Sequence, residues 1–223
     1  MPKIVLIRHA HSTANAAGVL SGQLPNVHLS KSGQEQAQRL AERLGKLTIA
    51  QVQVSPMDRC AETLAPWLAK YGKSVEVILE PNLIEVDYGK WSGKKLGTLS
   101  RAKLWRKVQG QPSAVTFPDG ESLAQMQVRA MKSVHDFFNT DLELTIMVSH
   151  GDVIKAIVAS SLGMHLDDFQ RIVIDPASIT ILESNGGDIR LTRLNDSDFS
   201  VSDLLQSKNR RGHLLGGGKG LIK

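Results

Sequence analysis

The sequence has few of the features that mark secreted or membrane-spanning proteins. It holds one cysteine, Cys60, among 223 residues, so neither an internal disulfide nor a cysteine-rich metal site can form from this chain. No eighteen apolar residues run together, and the first residues show no basic region followed by an apolar segment and a cleavage site. These absences disfavour export and membrane spanning, and we expect a cytoplasmic protein.

The net positive charge is also small over most of the chain. The net charge is +5, but residues 200–223 hold five basic residues and one acidic residue, which leaves only +1 for the remainder. A nucleic-acid-binding domain carries basic residues on its folded part, so we expect no nucleic-acid partner and no membrane partner. We predict one domain over residues 1–199, followed by a flexible basic, glycine-rich tail over residues 200–223.

Apolar runs alternate with helical patterns along the chain, as is typical of a parallel sheet covered by helices. Ser32, followed by Glu35, predicts the start of the first long helix. We predict strands over residues 3–7, 52–54, 75–79 and 144–149, and a final hairpin over residues 178–182 and 189–194. We predict helices over residues 32–44, 57–71, 99–108, 122–138 and 152–162.

The first apolar run ends abruptly in a polar cluster. Residues 4–7 predict a buried strand, and Arg8, His9, Ala10 and His11 follow it directly. The carboxyl end of such a strand is where open α/β sheets bind ligands. An arginine beside a histidine in this position suits a phosphate clamp next to a nucleophile or proton carrier.

Three later segments supply chemical partners for this cluster. His150 and Gly151 follow a second buried run, as His9 follows the first. Arg59 falls in the first turn of a helix, beside backbone amides that favour an anion. Glu85 lies in a loop after the third strand, and crowding by Tyr88 and Trp91 would raise its pKa.

Two arginines and two histidines around one point suit a doubly charged phosphoryl group. A neutral histidine can attack phosphorus, which splits the transfer into two steps through a phosphohistidine. Arginines and backbone amides can neutralise the phosphoryl oxygens, so we expect no metal and no cofactor. The leaving oxygen then needs an acid, and Glu85 is the best-placed carboxylate.

Together these motifs resemble the histidine phosphatase superfamily, in its phosphoglycerate-mutase-like branch, over roughly residues 3–185. The resemblance implies a three-layer α/β/α sandwich with a mostly parallel central sheet. It implies that His9 is the phosphorylated nucleophile and Glu85 the proton donor and later base. It further implies that the phosphoryl group is bound by Arg8, Asn15, Arg59, His150 and the backbone at Gly151.

The pattern over residues 85–93 looks more like the phosphatase members than the mutases. We therefore expect a histidine acid phosphatase-like phosphomonoesterase acting on a small-molecule phosphate ester, with a phosphomutase as the alternative. Ser21 and Gly22 are candidates for the substrate pocket, and a homodimer stays open. Ala10 stands where the family has glycine, which would strain the backbone if φ is positive there. Asp152 would make the pocket less positive.

Two other functions compete with this interpretation. His9 and His11 could form a metal pair of a barrel hydrolase, since alternate residues of a strand face the same way. That architecture usually needs about 250 residues and further ligands at later strand ends, where only His150 qualifies. Alternatively, Ala10 or Asp152 has weakened catalysis, and the chain is a phospho-ligand-binding protein whose basic tail engages an acidic partner.

Overall fold

The computed structural model describes residues 1–201 and residue 205. Residues 202–204 and 206–223, nearly all of the predicted tail, lie outside the described residues. Val201 is fully buried in the core, and the carbonyl of Leu205 accepts a hydrogen bond from Lys3 Nζ at 3.1 Å. Among the described residues, no helix has both the length and the apolar character that a membrane span requires.

The described residues form a six-stranded sheet in the order β3-β2-β4-β1-β5-β6. Strands β1 to β4 are parallel, whereas β5 is antiparallel to its neighbours β1 and β6. The strands are β1 (Lys3–Arg8), β2 (Gln51–Val54), β3 (Glu76–Leu79), β4 (Leu144–Ser149), β5 (Ile179–Ser184) and β6 (Ile189–Asp196). The predicted mostly parallel sheet is confirmed.

Helices cover both faces of this sheet. They are α1 (Thr13–Ala16), α2 (Lys31–Leu44), α3 (Asp58–Tyr71), α4 (Leu96–Leu99), α5 (Lys103–Gly110), α6 (Leu123–Phe138) and α7 (Gly151–Ser161). Side chains of β1 alternate between two cores because successive residues of a strand point to opposite faces. Ile4 and Leu6 pack with α6 and α7, whereas Val5 and Ile7 pack with α2 and α3. The three-layer α/β/α architecture is thus confirmed, and it explains why β1 is continuously apolar.

Two helix predictions were wrong in their bounds. Helix α2 is capped by Ser30, whose Oγ accepts from the amide of Gly33, and not by Ser32. Gly33 packs so closely on the preceding loop that a Cβ there would lie 1.9 Å from the carbonyl oxygen of His11. This tertiary contact selects one serine over another of equal capping propensity. The helix predicted over residues 99–108 corresponds to α5, which begins at Lys103 and ends at Gly110, and a separate short helix, α4, ends at Leu99.

The sheet order brings three strand ends together. Strands β2, β4 and β1 are neighbours, so the residues that follow them emerge side by side at one edge of the sheet. The amide of His9 donates to the carbonyl of Ser149 at 2.9 Å, and the amide of Ser55 donates to that of Val148 at 2.9 Å. The ladder therefore continues one residue beyond each strand and fixes the backbone from which the polar side chains project.

Candidate active site

The four residues central to the prediction meet at this edge. The imidazole rings of His9 and His150 lie edge to face, with centroids 5.2 Å apart. Arg59 Nη2 lies 3.2 Å from His150 Nδ1, and Glu85 Oε2 lies 3.8 Å from the same nitrogen. Groups that follow β1 and β4 directly therefore lie together with groups from α3 and from the loop after β3.

His9 is held as a neutral imidazole with a defined orientation. Its Nδ1 lies 2.8 Å from its neighbour's carbonyl oxygen, that of Ala10, so Nδ1 carries the hydrogen and Nε2 keeps the lone pair. Burial first, and then the positive charge of Arg59, lower the pKa of His9 to about 3. A free lone pair on a neutral ring is what nucleophilic attack requires.

His150 is likewise neutral, and its contacts identify which nitrogen faces the pocket. Arginine can only donate, so Arg59 donates to Nδ1 of His150. The other ring nitrogen, Nε2, then carries the hydrogen and donates to Ser55 Oγ at 2.8 Å. Complete burial and the neighbouring Arg59 lower the pKa of His150.

The two arginines have donors that the protein leaves unused. Arg59 is 1% exposed, and its Nη2 donates to the carbonyl of Gly22 at 2.8 Å. Arg8 Nη1 donates to the carbonyl of Ile174 at 2.6 Å. Within the described part of the chain, however, Arg8 Nε, Arg59 Nε and Arg59 Nη1 are buried without a hydrogen-bond partner. Unpaired buried donors are costly, so this cluster is arranged for an anionic ligand.

The remaining predicted binding residues differ in their closeness to this cluster. A Cβ on Gly151 would lie 3.3 Å from Arg8 Nε, so the first turn of α7, with its unpaired amides, lies beside the arginine. Gly22 is buried and contacts Arg59 through its carbonyl, whereas Ser21 is half-buried. Asn15 is exposed, and its Oδ1 accepts from the Ser12 amide in the capping box of α1. The hydrogen bonds of the Asn15 side chain are thus to Ser12 at the start of α1 and not to the arginines or histidines of the cluster.

Glu85 has the environment of a general acid. Its side chain is 12% exposed, and burial first, then the Asp152 carboxylate, raise its pKa to about 7. The sequence indicated crowding by Tyr88 and Trp91 but missed this role of Asp152. The Tyr88 hydroxyl donates to Asp152 Oδ2 at 2.8 Å, whereas Trp91 packs against aromatic rings in the core.

The backbone of Ala10 does not have a positive φ, so the strain that the sequence raised as a concern is not present. Among the described residues, the non-glycine residues with positive φ are Asn26, Asp119, Ala177 and Asn195, and Ala10 is not among them. It is fully buried, and its amide donates to Thr63 Oγ1 at 2.8 Å. The hydroxyl of Thr63 donates in turn to the carbonyl of Arg59 at 2.6 Å. This threonine, which the sequence did not reveal, joins the His9 loop to α3.

His9 and His11 have separate partners. His11 Nδ1 lies 2.9 Å from Ser30 Oγ, whereas the ring of His9 packs against that of His150. Among residues 1–201 and 205, no group of three or more histidine, cysteine, aspartate and glutamate side chains is arranged to hold a metal ion. The geometry gives the metal-pair hypothesis no third ligand.

Comparison with known proteins gives a consistent result. The profile of the histidine phosphatase superfamily (branch 1) matches residues 4–197. Phosphoserine phosphatase 1 of Hydrogenobacter thermophilus is 32% identical over 185 residues, covering 82% of this chain and 86% of the relative. The 2,3-bisphosphoglycerate-dependent phosphoglycerate mutase of Thermoplasma acidophilum is 26% identical over 186 residues, covering 83% and 88%. The alpha-ribazole phosphatase of Shigella flexneri shares the fold with a TM-score of 0.79 at 23% identity, covering 88% of this chain and 98% of that one.

The contact between Thr63 and Ala10 yields a stability prediction. Replacing Thr63 with Val leaves the buried amide of Ala10 without an acceptor, which we expect to lower the free energy of unfolding by about 1–3 kcal/mol. The matched control is Thr145→Val in β4, because the Thr145 hydroxyl is also buried but its recorded bonds are to carbonyls. Urea denaturation of both variants measures the difference. Equal losses would show that the Ala10 amide does not depend on Thr63.

Proposed function

The chain belongs to the histidine phosphatase superfamily, branch 1, and from this we propose that it hydrolyses a small phosphomonoester through a phosphohistidine at His9. The relatives named as phosphatase and mutase make it a phosphomonoesterase or a phosphomutase. The observation that carries the proposal is the set of buried, unpartnered donors of Arg8 and Arg59 beside a neutral histidine. Such a pocket is complementary to a phosphoryl dianion.

In the first step, the phosphoryl group occupies the space between the arginines and the two imidazoles. His9 Nε2 attacks phosphorus and forms the N–P bond as the ester P–O bond breaks on the opposite side. Glu85, in the protonated form that predominates below about pH 7, donates its proton to the leaving oxygen, and the alcohol departs. The guanidinium groups neutralise the equatorial oxygens, so the arrangement needs no metal ion.

In the second step, Glu85 acts in its ionised form. The carboxylate takes a proton from water, and the resulting hydroxide oxygen attacks phosphorus while the bond to His9 Nε2 breaks. Inorganic phosphate is released, and both His9 and Glu85 return to their starting protonation states. A pKa of about 7 suits a group that must donate and then accept a proton near neutral pH.

Hydrolysis is favoured over mutase activity by the charge next to Glu85. A mutase must hold a second phosphoryl group of its bisphosphate intermediate on the side of the leaving oxygen. Asp152 places a carboxylate close enough to Glu85 to raise its pKa, and this carboxylate accepts from the Tyr88 hydroxyl and pairs with Lys155 Nζ at 3.3 Å. The part of its charge that Lys155 does not offset disfavours a second phosphate beside Glu85 more than it disfavours a neutral or amine-bearing alcohol.

The proposal is tested by a panel of metabolite phosphate esters, scored for phosphate release and for isomer formation. We expect phosphate release that falls about 10⁴-fold or more in His9→Ala, because the nucleophile is lost. His11→Ala is the matched control, since His11 faces Ser30, and we expect it to stay within a few-fold of wild type. Isomer formation without net phosphate release would identify a mutase. Loss of activity in both variants together with bound metal would favour the metal pair.

A second prediction concerns the acid. We expect Glu85→Gln to slow cleavage of an alkyl phosphate by about 10²–10⁴-fold and of an activated aryl phosphate far less, because an aryl oxide leaves without a proton. Steady-state kinetics with both esters measure the contrast. Equal slowing of the two esters would remove Glu85 from the acid role.

A third prediction concerns pH. The acid must be protonated, so kcat/KM should fall as pH rises through the pKa of Glu85, about 7. Asp152→Asn removes a like charge, which lowers that pKa and moves the alkaline limb to lower pH. Asp136→Asn is the control, because Asp136 is exposed and pairs with Lys132 on α6. If the alkaline limb of the kcat/KM profile stayed in place or moved to higher pH in Asp152→Asn, this role of Asp152 would be contradicted.

A further inference from the structure

Arg129 of α6 holds the loop that carries Glu85, and all five of its guanidinium N–H groups are used. Nη1 donates to the carbonyls of Asn82 and Ile84, both at 2.7 Å. Nη2 donates to the carbonyl of Glu85 at 3.1 Å. Nη2 and Nε also form a two-point pair with the Glu121 carboxylate at 2.6 and 3.0 Å. One side chain thus binds three backbone carbonyls of a single loop.

Glu121 fixes the same loop on the other side of Glu85, and we call the Arg129–Glu121 pair the clamp. Its Oε1 accepts from the amide of Asp87 at 2.9 Å, and its own amide donates to the carbonyl of Asp87 at 3.0 Å. The loop is therefore fixed at residues 82, 84 and 85 by the arginine and at residue 87 by the glutamate. Both side chains are largely shielded, at 19% and 17% exposure, so their bonds compete little with water.

This arrangement matters for Glu85 because the loop has no strand ladder to position it. The Glu85 carbonyl accepts from Arg129 and from Gln23 Nε2 at 2.8 Å. Within its own loop, the Glu85 side chain accepts a hydrogen bond at Oε1 from the Val86 amide. Its direction thus depends on backbone that the clamp immobilises. A general acid loses efficiency when its placement is loose by even an ångström.

We propose that the Arg129–Glu121 pair is the positioning device that aims the Glu85 carboxyl at the leaving oxygen. Arg129 does not touch the reacting atoms; it acts through the loop backbone. Lysine cannot replace it, since an ammonium group has three donors and no fixed fork. This inference rests on the proposed function, because it presupposes that Glu85 protonates the leaving group.

The experiment compares Arg129→Gln with wild type on an alkyl phosphate and an activated aryl phosphate. We expect kcat for the alkyl ester to fall about 10- to 100-fold, with a much smaller effect on the aryl ester and little change in KM for either. Arg129→Lys should show the same pattern. In a Glu85→Gln background, Arg129→Gln should cause little additional loss, because the group it positions is already absent.

Arg43→Gln is the matched control for a purely structural effect. Arg43 of α2 pairs with Asp196, with side chains 14% and 11% exposed, and it also donates to the carbonyls of Asp196 and Phe199. We expect a comparable loss of stability in urea but an unchanged ratio of alkyl to aryl rates. Glu121→Gln, which keeps the side-chain shape, provides a second clamp variant if Arg129→Gln folds poorly, and should shift the ratio in the same direction.

Two results would overturn the inference. One is equal slowing of both esters by Arg129→Gln and Glu121→Gln. The other is an undiminished effect of Arg129→Gln in the Glu85→Gln background. In either case Glu85→Gln alone could still slow the alkyl ester far more than the aryl ester. The proposed function would then stand, and only the positioning role of the Arg129–Glu121 pair would be rejected. If Glu85→Gln showed no contrast, both the acid assignment and the clamp would fall.

Discussion

The structure depends above all on two arginines, one buried and one half-buried, that form no ion pair within 4.0 Å among the described residues. Arg8 and Arg59 have guanidinium N–H groups that the described residues leave unpaired. Removing a charged group from water costs several kcal/mol unless partners compensate for it. Burial first, and then the positive charge of Arg59, lower the pKa of both His9 and His150, so the two imidazoles are neutral. The unpaired arginine donors are therefore available to an anion, and they lie beside an imidazole that is neutral.

Burial and the charges around the site shift the pKa values of its titratable groups in opposite directions. Burial and positive charge lower the pKa of His9, whereas burial and the Asp152 carboxylate raise that of Glu85. These opposite shifts leave a neutral imidazole with a free lone pair beside a carboxyl that still binds a proton near pH 7, the combination that the proposed mechanism requires. Fixed backbone keeps these environments apart: the sheet ladder holds His9, and the Arg129–Glu121 pair holds the loop of Glu85.

Sequence reasoning succeeded where a local pattern determines the structure. Each buried strand ending in a histidine could be recognised, and parallel strands bring such ends to one edge. It failed where tertiary contacts decide. Ser30 and Ser32 cap equally well in isolation, but the fit of Gly33 against the loop selects Ser30. Asp152 could be placed in a first helical turn, but its effect on Glu85 depends on how α7 packs against the loop after β3.

Trapping the covalent intermediate is the most direct test of the central claim. The enzyme is mixed rapidly with a phosphate ester labelled on phosphorus and is denatured in base, where a phosphohistidine survives, and the label is located by peptide mass spectrometry. We expect a phosphoryl group on His9 that forms and is lost at rates consistent with turnover and that is released by acid. Turnover without label on His9, or with label on another side chain, would contradict it.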